Sequence, residues 1–206
     1  MSTKIAADAR SPLLEPGWRY VERPTLDAFT AADWSILAAQ RGPFYAAEQA
    51  RQALRLLEAS RDDPSFGYEV NNYRHSLQTA TAALQDGRDE EYVVMALLHD
   101  VGFITCPTSH GAFAADLLAP YVSGFTRWAL ERHMFFQAVH CRTCPDADPD
   151  VRERWRGHAY FEATAEFVAR YDVCTIRVGM PEAPLSVFEP MVRRVFARTP
   201  RVELPP

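Results

Sequence analysis

Asp89-Glu90-Glu91-Tyr92-Val93-Val94-Met95-Ala96-Leu97-Leu98-His99-Asp100 is the stretch that decides the fold. Its three leading acids suit a helix N-terminus, where free backbone N–H groups carry partial positive charge. From Val93 to Leu98 every side chain is apolar. A helix that is apolar all round has no face for water, so this one belongs at the centre of a helical core. The run nevertheless closes on His99-Asp100. A carboxylate at the end of a buried helix is costly unless it is paired or bound to a cation.

Outward from this helix, helical periodicity recurs and strand signals are almost absent. On the N-terminal side a helix is expected from about Asn72 to Leu84, stopping before Gly87. The loop Asp62-Asp63-Pro64-Ser65-Phe66-Gly67 precedes it. Two earlier helices are expected over 29–41 and 44–60, broken at Arg41-Gly42-Pro43; in the second, Ala50, Leu54 and Leu57 recur at helical spacing. On the C-terminal side Gly102 can end the central helix, and Ser109 can cap one over 110–119. Further helices are expected over 124–140, 150–156, 159–171 and 185–197, with an acidic turn from Pro145 to Pro149. Residues 1–28, which hold Pro12, Pro16 and Pro24, read as an extended lead-in, and 29–200 as one all-α domain.

Bulk properties narrow the function. With 206 residues, 48% of them apolar, the chain can bury one core. A net charge of −5, with acids and bases mixed, argues against a nucleic-acid or anionic-membrane surface. No apolar run approaches the roughly 20 residues that span a bilayer. The first residues lack the apolar core of a secretory signal, so a cytoplasmic location is expected. The cysteines, Cys106, Cys141, Cys144 and Cys174, then read as free thiols. Cys141-Arg142-Thr143-Cys144 has the spacing of a redox pair or zinc half-site, with no second such pair to complete it.

The histidines carry the chemistry. His75, His99, His110, His133, His140 and His158 sit on or at the ends of expected helices. Side chains on different helices of a bundle can converge on a metal. The ordered set His75, His99-Asp100, Asp172 resembles the HD-domain superfamily: a histidine on one helix, His-Asp ending a buried helix, an aspartate on a late helix. Two further histidines between the pair and the last aspartate mark its binuclear members, and His110 and His133 stand there. The resemblance spans roughly residues 68–175 and implies a helical bundle around a dinuclear centre. One metal would take His75, His99, Asp100 and Asp172; the other would take His110 and His133, with Asp100 bridging. Open positions on both would suit catalysis rather than structure.

Within that superfamily the chain is most similar to the oxygenases, of which myo-inositol oxygenase and the phosphonate-cleaving enzymes are the known types. His75-Ser76-Leu77-Gln78-Thr79-Ala80 looks like the H-x-L-Q-x-A stretch of the phosphonate oxygenases. The resemblance implies a mixed-valent Fe(II)/Fe(III) pair, dioxygen, and cleavage of a C–C or C–P bond in a small hydroxylated or amino substrate. Tyr68 and Glu69 are placed like residues that cap the second iron until substrate arrives. Departures accompany the matches. Phe103 stands where a basic or polar residue follows the aspartate, and Gln137 where a lysine follows the last metal histidine. The chain's only lysine is Lys4. Gln137 and His140 share the His133 stripe and can serve as substrate contacts, with Phe103 as an apolar wall; Arg142 and Arg177 could clamp an anion.

Two other readings fit the same residues. One is a phosphohydrolase acting on a nucleotide or other phosphate ester, with manganese or zinc activating water. The other is a degenerate module that only binds a small ligand. Monomer and homodimer both stay open.

Overall fold

The computed structural model describes residues 16–201. These residues are all-helical, with no strand. Seven α-helices are described: α1 Ala31–Ala59, α2 Asn72–Gln85, α3 Glu90–Leu98, α4 His110–Leu118, α5 Gly124–Gln137, α6 Phe161–Phe167 and α7 Leu185–Phe196. None is long and apolar enough to cross a membrane.

The chain divides into two compact units, Met1–Glu48 and Gln49–Pro206. In the first, Arg19 donates its backbone N–H to Gln40 Oε1 at 2.6 Å, Trp18 meets Phe44 edge-on at 5.9 Å, and Arg23 pairs with Asp33 at 2.6 Å. The expected lead-in lies outside the described residues as far as residue 15. From 16 to 28 the backbone is turn and irregular, with a 3-10 turn at Leu26–Ala28.

The expected break at Arg41-Gly42-Pro43 does not occur, and α1 runs through it. A proline disfavours helical backbone at the preceding residue because its Cδ strikes that residue's Cβ. Gly42 has no Cβ, so that part of the obstacle is removed.

In the second unit α3 is the axis. Val93 to Leu98 are each no more than 1% exposed. α2 packs along α3, which also meets α5 and α7, while α4 lies on α5. The caps follow the sequence. Asn71, Asp89 and Ser123 accept from the backbone N–H groups of Arg74, Tyr92 and Thr126. Ser109 stands at the cap position of α4 but makes no such bond.

Three expected helices are shorter or different. The one over 124–140 passes into a 3-10 turn at Ala138–His140. The one over 150–156 is only a 3-10 turn, Val151–Trp155. Pro149 and Gly157 bound it, leaving too few residues to offset the cost of nucleating an α-helix. The one over 159–171 becomes α6 and then a π-helical turn, Val168–Asp172, in which Val173 N–H reaches back to Val168 O at 3.0 Å.

Candidate metal centre

Five elements of the second unit deliver six side chains to one place. His75 comes from the first turn of α2, and His99 and Asp100 from the end of α3. His110 opens α4, His133 comes from the last turns of α5, and Asp172 closes the π turn. All six are buried. Asp100 divides its two oxygens. Oδ1 lies 3.1 Å from both His110 Nε2 and His133 Nε2. Oδ2 lies 3.7 Å from His75 Nε2 and 3.6 Å from His99 Nε2. Asp172 Oδ1 faces that second pair, at 3.5 and 3.6 Å.

The four imidazoles are oriented alike. Each has its Nδ1 on a backbone carbonyl: His75 on Thr175 at 2.9 Å, His99 on Ala96 at 2.8 Å, His110 on Pro107 at 3.1 Å and His133 on Leu130 at 2.7 Å. A carbonyl can only accept, so Nδ1 carries the proton in every ring and the Nε2 lone pair points inward. His75 Nε2 and His99 Nε2 then face each other at 3.1 Å, two acceptors with no hydrogen between them in the neutral tautomers. Positive charge resolves that conflict, either as a proton on His99 or as a metal ion. Carbonyl-fixed imidazoles with lone pairs converging on carboxylates are the surroundings of metal ligands. His75, His99 and Asp172 can hold one ion, and His99, Asp100 and His133 form a second such group. The donor set therefore fits metal, and imidazole with carboxylate suits iron, manganese or zinc.

The charges agree. Burial pushes the Asp100 carboxyl up, but the imidazoles of His99, His110 and His133 beside it, when positively charged, outweigh that and hold it well below the usual carboxylate range. Asp172 is held low in the same way, against its burial, by His75 and His99. Burial pushes His99 down, yet Asp100 and Asp172 raise it to about 9. The pocket thus stabilises two carboxylates together with compensating positive charge.

A cavity of about 510 Å³ opens onto His75, Asp100, His110 and Asp172. Phe103 forms part of its wall, its ring 5.5 Å from that of His110. Tyr68 stands at the mouth, 60% exposed, and His140 also lines it. Gln137 lines it too, but its amide donates to both oxygens of Asp172, at 3.0 and 2.8 Å. It holds a carboxylate of the cluster rather than standing free for substrate. Glu69 is elsewhere: it accepts from the backbone N–H of Val178 at 2.8 Å and does not line the cavity. Arg142 and Arg177 are exposed and do not line it either. The turn after His140 carries Arg142 away, and Arg177 contributes its carbonyl to Gln78.

Other residues at the site have no motif to announce them. Asn72 donates to the Asp100 carbonyl at 3.1 Å. Thr175 takes His75 Nδ1 on its carbonyl and is itself held by Thr79, hydroxyl to hydroxyl, at 2.7 Å. Phe66 lines the mouth, 6.4 Å from the ring of Phe103. Its φ of 53° lies in the left-handed region, and it is the sole non-glycine there among the described residues. Such strain gathers at ligand-facing loops.

No protein-family profile matches the chain. A 55-residue stretch is 44% identical to [1-hydroxy-2-(trimethylamino)ethyl]phosphonate dioxygenase (glycine-betaine-forming) of Leisingera caerulea. The match covers 27% of this chain and 27% of that protein, so about a quarter of each is compared.

Proposed function

We propose that residues 29–200 form an HD-type helical domain whose dinuclear iron centre uses dioxygen to oxidise and cleave a C–C or C–P bond. The observation that carries this reading is the division of Asp100, one oxygen to each pair of imidazoles. A single carboxylate shared in this way suits two cations rather than one. His75, His99 and Asp172 would hold one iron, His110 and His133 the other, with Asp100 between them. The irons would supply dioxygen activation and the redox equivalents. The likeness to a phosphonate dioxygenase supports oxygen chemistry over hydrolysis.

The chain's own groups set the conditions. The apolar wall of Phe66, Phe103 and Ile176 keeps water from the reacting end of a small substrate. Asn71 and Asn72 line the cavity with their amides already engaged, Asn71 in capping α2 and Asn72 on the Asp100 carbonyl. No lysine or arginine lines the cavity among the described residues, so an anionic end would rely on the metals for its countercharge. A substrate that coordinates through a hydroxyl or amine and lays an apolar remainder against the aromatic wall fits best. Tyr68, at the mouth, is placed to cover the site before substrate arrives.

The test is anaerobic purification with iron, metal analysis, electron paramagnetic resonance and oxygen uptake. The probe is 1-hydroxy-2-(trimethylamino)ethylphosphonate. Two irons per chain, and a mixed-valent signal that the probe perturbs, are expected. One tightly bound metal with no oxygen uptake would sink the proposal. Rapid phosphate-ester hydrolysis with manganese or cobalt would replace it with the hydrolase reading.

A further inference from the structure

We propose that Cys141 and Cys144 form a redox modification site, a dithiol that hydrogen peroxide converts to an internal disulfide at the rim of the cavity. Both thiols are free and exposed. They are the first and last residues of a turn closed by Cys144 N–H donating to Cys141 O at 2.9 Å. A four-residue turn of this kind holds its end Cα atoms within about 7 Å. A disulfide needs about 4.4–6.8 Å, so the backbone already supplies the approach. Turns on either side, Cys141 N–H to Ala138 O at 3.0 Å and Ala147 N–H to Cys144 O at 3.2 Å, hold the segment without committing it to an α-helix. It can therefore make the small adjustment that bond formation requires.

The remaining cysteines lack this arrangement. Cys174 donates its thiol to the Arg170 carbonyl at 2.9 Å, and Cys106 is partly buried in a separate turn. Position gives the pair its consequence. Cys141 lines the main cavity beside His140 and Gln137. Cys141 and Cys144 together line an adjoining surface cavity of about 410 Å³. A bond between them fixes a wall of the main cavity four residues beyond Gln137, which holds Asp172.

The chemistry balances. One thiolate attacks peroxide: an S–O bond forms, the O–O bond breaks and hydroxide leaves. The second thiolate attacks the sulfenic sulfur: the S–S bond forms, the S–O bond breaks and a second hydroxide leaves. Two sulfurs are oxidised, and peroxide is reduced to two waters with the thiol protons. Exposed disulfides are the readily reduced ones, so glutathione reverses the change. The step needs no metal and stands apart from the oxygenase reading.

The full chain is treated with equimolar hydrogen peroxide, its thiols are counted with Ellman's reagent, and alkylated peptides are mapped by mass. The expected result is a fall from four titratable thiols to two, with Cys141 joined to Cys144 and recovery by glutathione. Cys144→Ser is expected to trap a sulfenic acid on Cys141 that dimedone captures. A Cys106→Ser/Cys174→Ser chain is expected to form the bond unchanged. An unaltered thiol count, equal oxidation of Cys106 or Cys174, a covalent dimer, or a tightly held zinc ion shielding the pair would each overturn the proposal.

Discussion

Asp100 is the residue through which the two halves of the candidate centre communicate. Among the described residues its two carboxylate oxygens are divided between the two imidazole pairs, so its replacement is expected to act differently from that of any histidine. Asp100→Asn keeps the volume but removes the shared charge, and the purified protein is expected to retain neither metal. His110→Ala strips a donor from one side alone and is expected to leave one metal per chain. Metal analysis after brief chelation distinguishes them. Retention of two metals in Asp100→Asn would end the bridging idea. At this scale much was legible beforehand: the order of His75, His99-Asp100, His110, His133 and Asp172 nominated six side chains that the fold does gather. What holds them was not legible. The partners of the four Nδ1 atoms are backbone carbonyls of Thr175, Ala96, Pro107 and Leu130, and a carbonyl has no letter in a sequence. The position of Glu69 was not legible either, because a solvent-side carboxylate takes whichever N–H the next loop presents.

Between elements, the closest constraint on the centre is the contact of α4 with α5. A Cβ built on Gly111 would stand 2.6 Å from Leu130 O and 3.2 Å from the His133 ring. Leu130 O is the same carbonyl that fixes His133 Nδ1. Ala has a helix advantage over Gly of about 1 kcal/mol, yet overpacking against fixed backbone costs about 1–3 kcal/mol. Gly111→Ala is therefore expected to lower Tm by a few degrees and to weaken the second metal, as calorimetry and metal titration would show. An unchanged Tm with full metal content would refute the packing account. Glu91 ties three elements. It accepts from Ser123 N–H at 2.8 Å and Thr126 Oγ1 at 2.7 Å, and pairs with Arg198 beyond α7. Burial pushes its carboxyl up, but these donors outweigh it and lower it from about 4.5 to about 2. A folded value below the unfolded one gives stability that is present above pH 4.5 and lost as pH falls toward 2. Glu91→Gln is expected to cost about 1 kcal/mol at neutral pH and to flatten denaturant midpoints across that window. A variant with the same acid profile would disprove the assignment. Elements were legible where apolar pattern and caps agreed, as in α2 and α3. They were not where the controlling term is steric and local. Gly42 before Pro43 turns an apparent break into continuous helix, and a π turn after α6 leaves no periodic mark.

For the whole molecule, the six groups lie between His75 and Asp172, and bound metal would join parts of the chain that only the fold brings together. In the unfolded chain those ligands are dispersed, so metal binds the folded state preferentially and stabilises it by mass action. At a free concentration 100 times Kd the gain is about 2.7 kcal/mol per site. In a chain of this size each kcal/mol moves Tm by about 2–4 °C, so one saturated site is worth roughly 5–11 °C. Iron(II) under anaerobic conditions, or manganese(II) as a redox-silent substitute, is expected to raise Tm by that order for each site filled, and a chelator to reverse it. His110→Ala is expected to keep part of the rise and Asp100→Asn almost none. The same linkage predicts a pH dependence: metal binds imidazole only in its neutral form, and His99 is raised to about 9 in the metal-free fold, so the metal-induced rise should shrink progressively as the solution is taken below about pH 9. A cluster serving merely as a polar network within the core would show neither the rise nor its graded loss across the two variants. Melting curves with and without metal at several pH values therefore decide whether these six buried groups are a binding site or only a way of satisfying one another.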